Sequence, residues 1–184
     1  MMHRKVEKWE TSSKSHIRYL IKYLFSYTDK TNIKQRMLTI SLIENGNIFN
    51  SSCKTIVNPI NCVGVMGKGI AKKKKNRFPH MFERYQTLCN KHLITVGKLW
   101  LYQNEDGSSI LNFPTKEHWK ENSKYEFIEM GMKKFLETYQ EKQIKSIAFP
   151  LLGCGNGKLN KTEVLNIMMK YIIQCKNLIV EIYT

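Results

Sequence analysis

The sequence predicts an α/β protein in which a mixed sheet is covered by helices on both faces. From residue 38 onward, short apolar segments typical of strands alternate with longer segments whose apolar residues recur at helical spacing. The chain has 184 residues, of which 42% are hydrophobic. This composition excludes collagen-like, low-complexity and wholly disordered classes and is sufficient for one sizeable core. We therefore expect one main domain over residues 37–184.

Strands are predicted where β-branched and aromatic residues cluster between turn-forming residues. The first predicted strand ends in a turn at residues 44–47. The third and fourth form a hairpin across Asp106-Gly107, a dipeptide that favours tight turns. Pro150 ends the fifth. The six strands are expected over residues 38–43, 55–57, 98–103, 110–113, 146–149 and 178–183.

Helices are predicted where apolar residues fall three or four positions apart. The longest has Ile128, Met132, Phe135 and Tyr139 on one face, and the last has Val164, Met168 and Tyr171 on one face. Between the strands, the four helices are expected over residues 70–76, 79–91, 125–143 and 161–175.

Residues 1–36 are predicted to form a basic N-terminal helical extension. Within it, residues 15–27 are expected to be a helix, because Arg18, Lys22 and Ser26 fall four apart while apolar residues cover the remaining surface. Two roles stay open for this helix: it docks on the main domain, or it is a separate element that binds DNA or a membrane.

The charge balance favours polyanionic partners. The chain has 30 Lys and Arg residues against 15 Asp and Glu residues, a formal net charge of +15. The five cysteines show no C-x-x-C spacing, so neither a disulfide framework nor a zinc ribbon is indicated, and no metal is expected. No apolar run suits a membrane span or a secretory signal. We expect a soluble, cytoplasmic protein that is a monomer and does not bind a membrane.

Two glycine-rich segments are candidate phosphate-binding loops, because each follows an apolar strand and precedes a helix. They are residues 64–69 (GVMGKG, loop 1) and residues 153–158 (GCGNGK, loop 2). Backbone N–H groups at such turns can surround an anionic oxygen, so two loops suit a diphosphate. Neither loop matches a Walker A or a G-x-G-x-x-G pattern. The alternative is two tight turns that bind nothing.

Three motifs in order resemble the macrodomain family, in particular macrodomains of the DarG antitoxin type. They are residues 57–71 (VNPINCVGVMGKGIA), 112–119 (NFPTKEHW) and 150–155 (PLLGCG). The resemblance implies a three-layer α/β/α sandwich that binds ADP-ribose in a cleft at the strand ends, without a cofactor. It also implies removal of ADP-ribose from thymidine in single-stranded DNA, which a DarT-like toxin modifies. Related macrodomains cleave ADP-ribose from protein glutamates or only bind it, and both alternatives stay open.

The resemblance also implies site residues. Asn47, with Ile48, lies at the adenine position, although many macrodomains have an aspartate where this chain has Asn47. Asn61 is placed against the distal ribose, and Lys116 and Asn61 are the implied catalytic residues. Protein-glutamate hydrolases have an aspartate where this chain has Gly157, which favours the DarG type. The remaining implied ligand-binding residues are Gly64, Val65, Met66, Gly67, Lys68, Gly69, Ile70, Thr115, His118, Leu152, Gly153, Cys154, Gly155 and Asn156.

Lys116 is the residue best suited to glycosidic chemistry, as a nucleophile or as an acid/base group. An amine must be neutral to attack, so burial and the nearby Lys120, Lys124 and His118 would have to lower its pKa. The alternative is that Lys116 only neutralises phosphate.

Several neighbouring residues have two interpretations each. His118 orients the leaving base or fills the loop, and Trp119 stacks on a base or is a buried anchor. Cys62 and Cys154 are expected to be packing residues rather than nucleophiles. The run at residues 72–75, with Arg77, is a solvated helix face or a contact for a DNA backbone.

Overall fold

The computed structural model describes residues 4–10, 17–25 and 36–184, with side chains from Leu38 onward. Eight strands form one sheet in the order β1-β2-β3-β8-β7-β4-β6-β5. Strands β3, β8, β7, β4 and β6 are parallel, whereas β1, β2 and β5 pair antiparallel with their neighbours. The strands are β1 (Arg4–Glu10), β2 (Ile17–Phe25), β3 (Arg36–Ile43), β4 (Thr55–Asn61), β5 (Trp100–Gln103), β6 (Ser109–Lys116), β7 (Ser146–Pro150) and β8 (Leu178–Tyr183).

Helices cover both faces of the sheet, which confirms the α/β/α sandwich. The α-helices are α1 (Gly69–Arg77), α2 (Pro79–Asn90), α3 (Tyr125–Thr138) and α4 (Lys161–Ile172), and a short 3-10 helix spans Ile48–Asn50. Within the described residues, no helix has the length and apolar character of a membrane span.

Alternation along the strands assigns their apolar residues to the two helical layers. Val57, Leu111 and Phe149 pack with α3 and α4 in the larger core cluster. Their strand neighbours Ile110 and Ala148 belong instead to clusters that include residues of α2 and α1 on the opposite face. Apolar residues recur every second position in the strands and about every 3.6 positions in the helices. This pattern corresponds to one sheet between two helical layers.

The helix predicted over residues 15–27 is wrong where the structure describes this segment, because Ile17–Phe25 is strand β2. Isoleucine, tyrosine and phenylalanine occupy every second position from 17 to 25, a pattern that favours a strand. This strand pairs antiparallel with β1 and with β3. Residues 15, 16, 26 and 27 lie outside the described residues, and the division at residues 36 and 37 stays a prediction.

Other predicted elements are confirmed in position, with changed ends. Strand β4 continues past Val57 to Asn61 because β6 pairs with it along that length, and an Asn58–Asn112 side-chain hydrogen bond of 2.9 Å joins the two strands. Helix α3 ends at Thr138, five residues earlier than predicted. The chain leaves it in a turn where Gln143 has φ 55° and Ile144 N donates to Tyr139 O.

A crevice is built into the centre of the sheet, between β4 and β7. The two strands pair only through Thr55 and Ile56, so they separate toward their carboxyl ends. The chain continues from β4 toward β6 on one side, and from β7 toward β8 on the other. Ligands of α/β sheets bind outside the carboxyl ends of strands at such switch points. Loop 1 follows β4 and loop 2 follows β7, so both lie at this crevice.

Candidate functional site

Loop 1 takes its shape from one buried side chain, that of Asn61. Asn61 is 7% exposed and ends β4. Its Oδ1 accepts hydrogen bonds from Val63 N at 3.0 Å and Val65 N at 3.3 Å, and its Nδ2 donates to Val65 O. The side-chain amide at the end of β4 therefore fixes the backbone at the start of loop 1. This geometry makes Asn61 an organiser of the loop, and its predicted catalytic role stays a prediction.

Tyr85 supports Asn61 and was not found by sequence reasoning. Its ring is fully buried, and its hydroxyl donates to Asn61 O at 2.8 Å and Asn61 Oδ1 at 3.0 Å. Burial raises the pKa of Tyr85, so the hydroxyl keeps its proton for this contact. The one sequence signal is its helical spacing with Met81 and Cys89, which predicts a core face but not a hydrogen bond to β4.

Loop 2 takes its shape from residues without side chains. A Cβ on Gly157 would lie 2.2 Å from Gly153 O and 2.2 Å from Ser123 Oγ, so only glycine fits there. Gly153 has φ 72°, and a Cβ there would lie 2.9 Å from both Leu159 Cδ1 and Ser123 Cβ. The backbone N–H of Ser123 donates to Gly157 O at 3.0 Å. The tight packing explains why this chain has glycine at position 157.

The two loops approach each other at the mouth of the crevice. A Cβ on Gly69 would lie 3.3 Å from Asn156 Nδ2, so the end of loop 1 nearly touches loop 2. Lys116, the last residue of β6, donates from Nζ to Asn156 O at 2.6 Å. The structure thus places Lys116 against loop 2 and beside loop 1, as expected for residues that share one ligand.

The pKa of Lys116 is lowered, first by burial and then by the positive charge of Lys158 on loop 2. Glu121 opposes this effect. The contributions expected from Lys120 and Lys124 to the lowered pKa are not found. Their ammonium groups lie near aromatic rings. Lys120 Nζ is 5.3 Å from the Trp119 ring, and Lys124 Nζ is 5.0 Å from the Phe127 ring.

The predicted adenine end lies beside α1. Asn47 caps the short 3-10 helix by accepting from Phe49 N at 3.1 Å. Ile48 packs with Ile70 of α1 in a small cluster above β7. The segment after this 3-10 helix is fixed by the buried Glu181, which accepts hydrogen bonds from Ser51 Oγ at 2.6 Å and Tyr183 OH at 2.8 Å. The packing of Ile48 on Ile70 connects the predicted adenine end to α1, the helix that follows loop 1.

Three further predicted site residues have buried side chains that fix the loops. Met66 and Leu152 lie in the core clusters, and Thr115 Oγ1 donates to Ile60 O at 3.4 Å. Loop 1 residues Val65, Gly67 and Lys68 are exposed, as are Gly155 and Asn156 of loop 2.

Cys62, which precedes loop 1, and Cys154 of loop 2 have raised pKa values, to about 11 for Cys62, because burial disfavours their thiolates. This supports their interpretation as packing residues.

Trp119 is 49% exposed, so the alternative of a buried anchor is wrong.

In the lysine run, Lys72, Lys73 and Lys75 are exposed, whereas Lys74 is 2% exposed and its ammonium lies 5.1 Å from the Phe49 ring. Burial lowers the pKa of Lys74 to about 8.

Residues 57–168 match the family model of the macro domain. The chain belongs to the macro domain family. This match includes both glycine loops and Lys116 of the macrodomain, and it confirms the family that the three motifs indicate.

The macrodomain is similar to proteins whose functions are named. It is 40% identical over 122 residues to a DNA ADP-ribosyl glycohydrolase of Mycobacterium tuberculosis, a match that covers 65% of this chain and 35% of that protein. It thus spans about a third of that relative's length. The solved macrodomain of Thermus aquaticus DarG is 33% identical, with a TM-score of 0.75, over 80% of this chain and 99% of that one. Thermosipho africanus DarTG, solved in complex with ADP-ribose, is 37% identical with a TM-score of 0.74, over 78% and 41%.

Proposed function

We propose that this macrodomain is an ADP-ribosyl glycohydrolase that removes ADP-ribose from nucleic acid, with thymidine in single-stranded DNA as the substrate. The observation that carries this proposal is the position of Lys116. Its amine lies on loop 2, beside loop 1, and its pKa is lowered by burial and by Lys158. A family member at 40% identity is named a DNA ADP-ribosyl glycohydrolase, which supports the same activity for this chain.

The two loops are suited to a diphosphate. Loop 1 presents backbone amides at the start of α1, where the helix end adds partial positive charge. A Cβ on Gly155 would meet open space, and one on Gly67 would meet only Val65 Cγ1 at 3.9 Å, so a ligand can approach the backbone closely at both positions. With the diphosphate held by the loops and adenosine toward Asn47, the distal ribose would lie toward Lys116.

The lowered pKa gives Lys116 a larger neutral fraction, which glycosidic chemistry requires. A neutral amine can attack the anomeric carbon of the distal ribose, and the bond from that carbon to the base then breaks. The base leaves with a proton from the amine. Water next hydrolyses the lysine–ribose bond, which releases ADP-ribose and restores the amine. The alternative role is acid/base catalysis, in which the amine takes a proton from the attacking water.

Two other functions are weaker candidates. Hydrolases of protein-glutamate ADP-ribose are expected to need an aspartate at position 157, where the packing against Gly153 and Ser123 leaves no space for a side chain. A module that binds ADP-ribose without cleaving it would need the loops but not an amine of lowered pKa. The arrangement around Lys116 therefore favours an enzyme.

An antitoxin role follows from the same proposal. DarTG of Thermosipho africanus has been solved with ADP-ribose, and this chain covers 41% of it. We infer that the macrodomain reverses the modification made by a DarT-like toxin. We also infer that the exposed lysines at the start of α1 contact the DNA backbone, since each lies within two turns of loop 1. A monomer suffices for this role.

The proposal is tested by incubating the wild-type protein with ADP-ribosylated single-stranded DNA and, separately, with ADP-ribosylated protein, and measuring the release of ADP-ribose. We expect release from DNA with turnover and much slower release from protein. Faster release from protein would contradict the proposed substrate. Tight binding of ADP-ribose with no release from either substrate would favour the binding module.

A further inference from the structure

We propose that Trp119 is a stacking surface for the base that carries ADP-ribose, and that it thereby determines the substrate class; this inference rests on the proposed function. Among the residues from Leu38 onward, Trp119 is the largest exposed apolar side chain, and it is 49% exposed. A tryptophan with that much of its indole in water is unusual in a folded domain and typical of a contact surface.

Trp119 is held in a defined position by the turn that contains it. Glu121 N donates to His118 O at 3.2 Å, and Lys120 N donates to His118 Nδ1 at 3.3 Å. The His118 ring lies beside the indole, with centroids 5.6 Å apart and an interplanar angle of 30°. The Lys120 ammonium lies 5.3 Å from the indole ring. With both neighbours in place, Trp119 is still half-exposed, so His118 supports the indole without covering it. This assigns His118 a positioning role.

The turn is attached to the site at two points. Lys116, three residues before Trp119, contacts Asn156 of loop 2. Glu117 O accepts from Cys62 N at 3.0 Å, which ties the turn to the end of β4 just before loop 1. The next residue, Val63, directly precedes loop 1 and is also exposed. The indole therefore lies at the rim of the crevice on the side of Lys116.

The chemistry of the ADP-ribose acceptor identifies what would bind to the exposed indole of Trp119. The scissile bond joins the distal ribose to the acceptor, so the acceptor must lie next to the Lys116 amine. A flat base can stack on an indole, whereas the aliphatic carboxylate of a protein glutamate cannot. Charge is compatible with a nucleic acid: Lys116, Lys120 and Lys124 surround the turn and outnumber Glu117 and Glu121.

Trp119→Ala and Trp119→Phe test this proposal, with Ile179→Ala as the matched control. Ile179 is an exposed apolar residue of similar exposure at the start of β8, away from the carboxyl ends of the strands. The substrates are ADP-ribosylated thymidine nucleoside and ADP-ribosylated thymidine oligonucleotide. Affinity for free ADP-ribose is measured in parallel by calorimetry.

We expect Trp119→Ala to lower kcat/KM about 10-fold to 100-fold on both substrates, the loss of one stacked base, while ADP-ribose affinity stays within about twofold. Trp119→Phe should keep most of the activity, and Ile179→Ala all of it. Unchanged kcat/KM in Trp119→Ala would overturn the proposal. So would an equal loss of ADP-ribose affinity, which would indicate a structural role, or a loss confined to the oligonucleotide, which would place a flanking base on the indole.

The outcome can be separated from that of the proposed function. If the wild type releases no ADP-ribose from either substrate, the proposed glycohydrolase activity has failed. The affinity of wild type and Trp119→Ala for the intact ADP-ribosylated oligonucleotide then tests stacking alone. A loss of about 10-fold or more supports the surface, and equal affinities overturn it.

Discussion

Loop 1 and loop 2 lie on the same crevice but are held in different ways. Loop 1 is held by side-chain hydrogen bonds: Asn61 Oδ1 accepts from backbone N–H groups, and the Tyr85 hydroxyl donates to Asn61. Loop 2 is held by close packing, which requires that Gly153 and Gly157 have no side chains. Loop 1 therefore fails when a polar atom is removed, whereas loop 2 fails when an atom is added.

This difference also separates two kinds of glycine. Gly157 is needed by the protein's own packing, while Gly67 and Gly155 have no close neighbour in the direction of a Cβ. The open glycines leave space that a ligand can use. A substitution at Gly157 should therefore lower the stability of the fold more than ligand binding. A substitution at Gly67 or Gly155 should lower ligand binding more than stability.

The largest effect is expected from Gly67→Glu and Gly155→Glu, one in each loop. Each adds a carboxylate to the space proposed for the diphosphate, so we expect loss of ADP-ribose binding by at least about a hundredfold, with the fold intact. Calorimetry with ADP-ribose and thermal unfolding measure the two quantities. Gly67→Ala and Gly155→Ala are the controls. Normal binding by either Glu variant would mean that its loop does not contact the ligand.

Gly157→Ala should lower the free energy of unfolding by about 2–3 kcal/mol, the usual cost of overpacking. The added Cβ would lie 2.2 Å from both Gly153 O and Ser123 Oγ, so loop 2 must shift. Gly155→Ala, in the same loop, should change stability by less than about 0.5 kcal/mol. Denaturant unfolding of the two variants measures the difference. Equal stabilities would show that packing does not determine the shape of loop 2.

Removing one hydroxyl from the support of each loop should destabilise the protein only in the case of loop 1. Tyr85→Phe leaves Asn61 without its hydroxyl donor and should cost about 1–2 kcal/mol. Ser123 Oγ is buried and has no hydrogen-bond partner within the described part of the chain, so Ser123→Ala should be neutral or stabilise by up to about 1 kcal/mol. Equal losses in the two variants would contradict the proposed difference between the loops.

The smallest effect is expected in the pH dependence of activity. Loop 2 provides Lys158, whose charge lowers the pKa of Lys116, and Glu121 raises it. If the neutral amine is the active form, the rate rises as the pH increases through that pKa. Lys158→Ala should therefore move the midpoint of the rise to higher pH, and Glu121→Gln should move it to lower pH. The pH profile of kcat/KM measures both shifts. Shifts in the same direction would contradict this role for loop 2.

The sequence predicts the position of both glycine loops, because each loop follows an apolar strand and precedes a helix. That both loops bind a ligand stays a prediction. The sequence also predicts the strands and helices of residues 37–184, whose periodicity is local. It does not predict the hydrogen bond from Tyr85 to Asn61, since the partners are 24 residues apart and meet only when α2 packs on the sheet. The packing of Ser123 against Gly157 depends on the fold in the same way.

Two predictions made from neighbouring residues are wrong. The spacing of Arg18, Lys22 and Ser26 predicts an N-terminal helix. The same stretch also has large β-forming residues at every second position, and residues 17–25 form a strand. For Lys116, sequence proximity suggested Lys120 and Lys124 as the charges that lower its pKa. The fold instead brings Lys158 close to it, from a loop 42 residues further along the chain.

The turnover of Lys116 variants on an ADP-ribosylated thymidine oligonucleotide tests the central claim most directly. We expect Lys116→Ala to lower turnover by at least about a hundredfold while ADP-ribose affinity stays within a few fold. Lys116→Arg should fail as well, because a guanidinium keeps the charge but cannot be deprotonated. Full activity of the alanine variant, or rescue of most activity by arginine, would contradict a catalytic role for the amine.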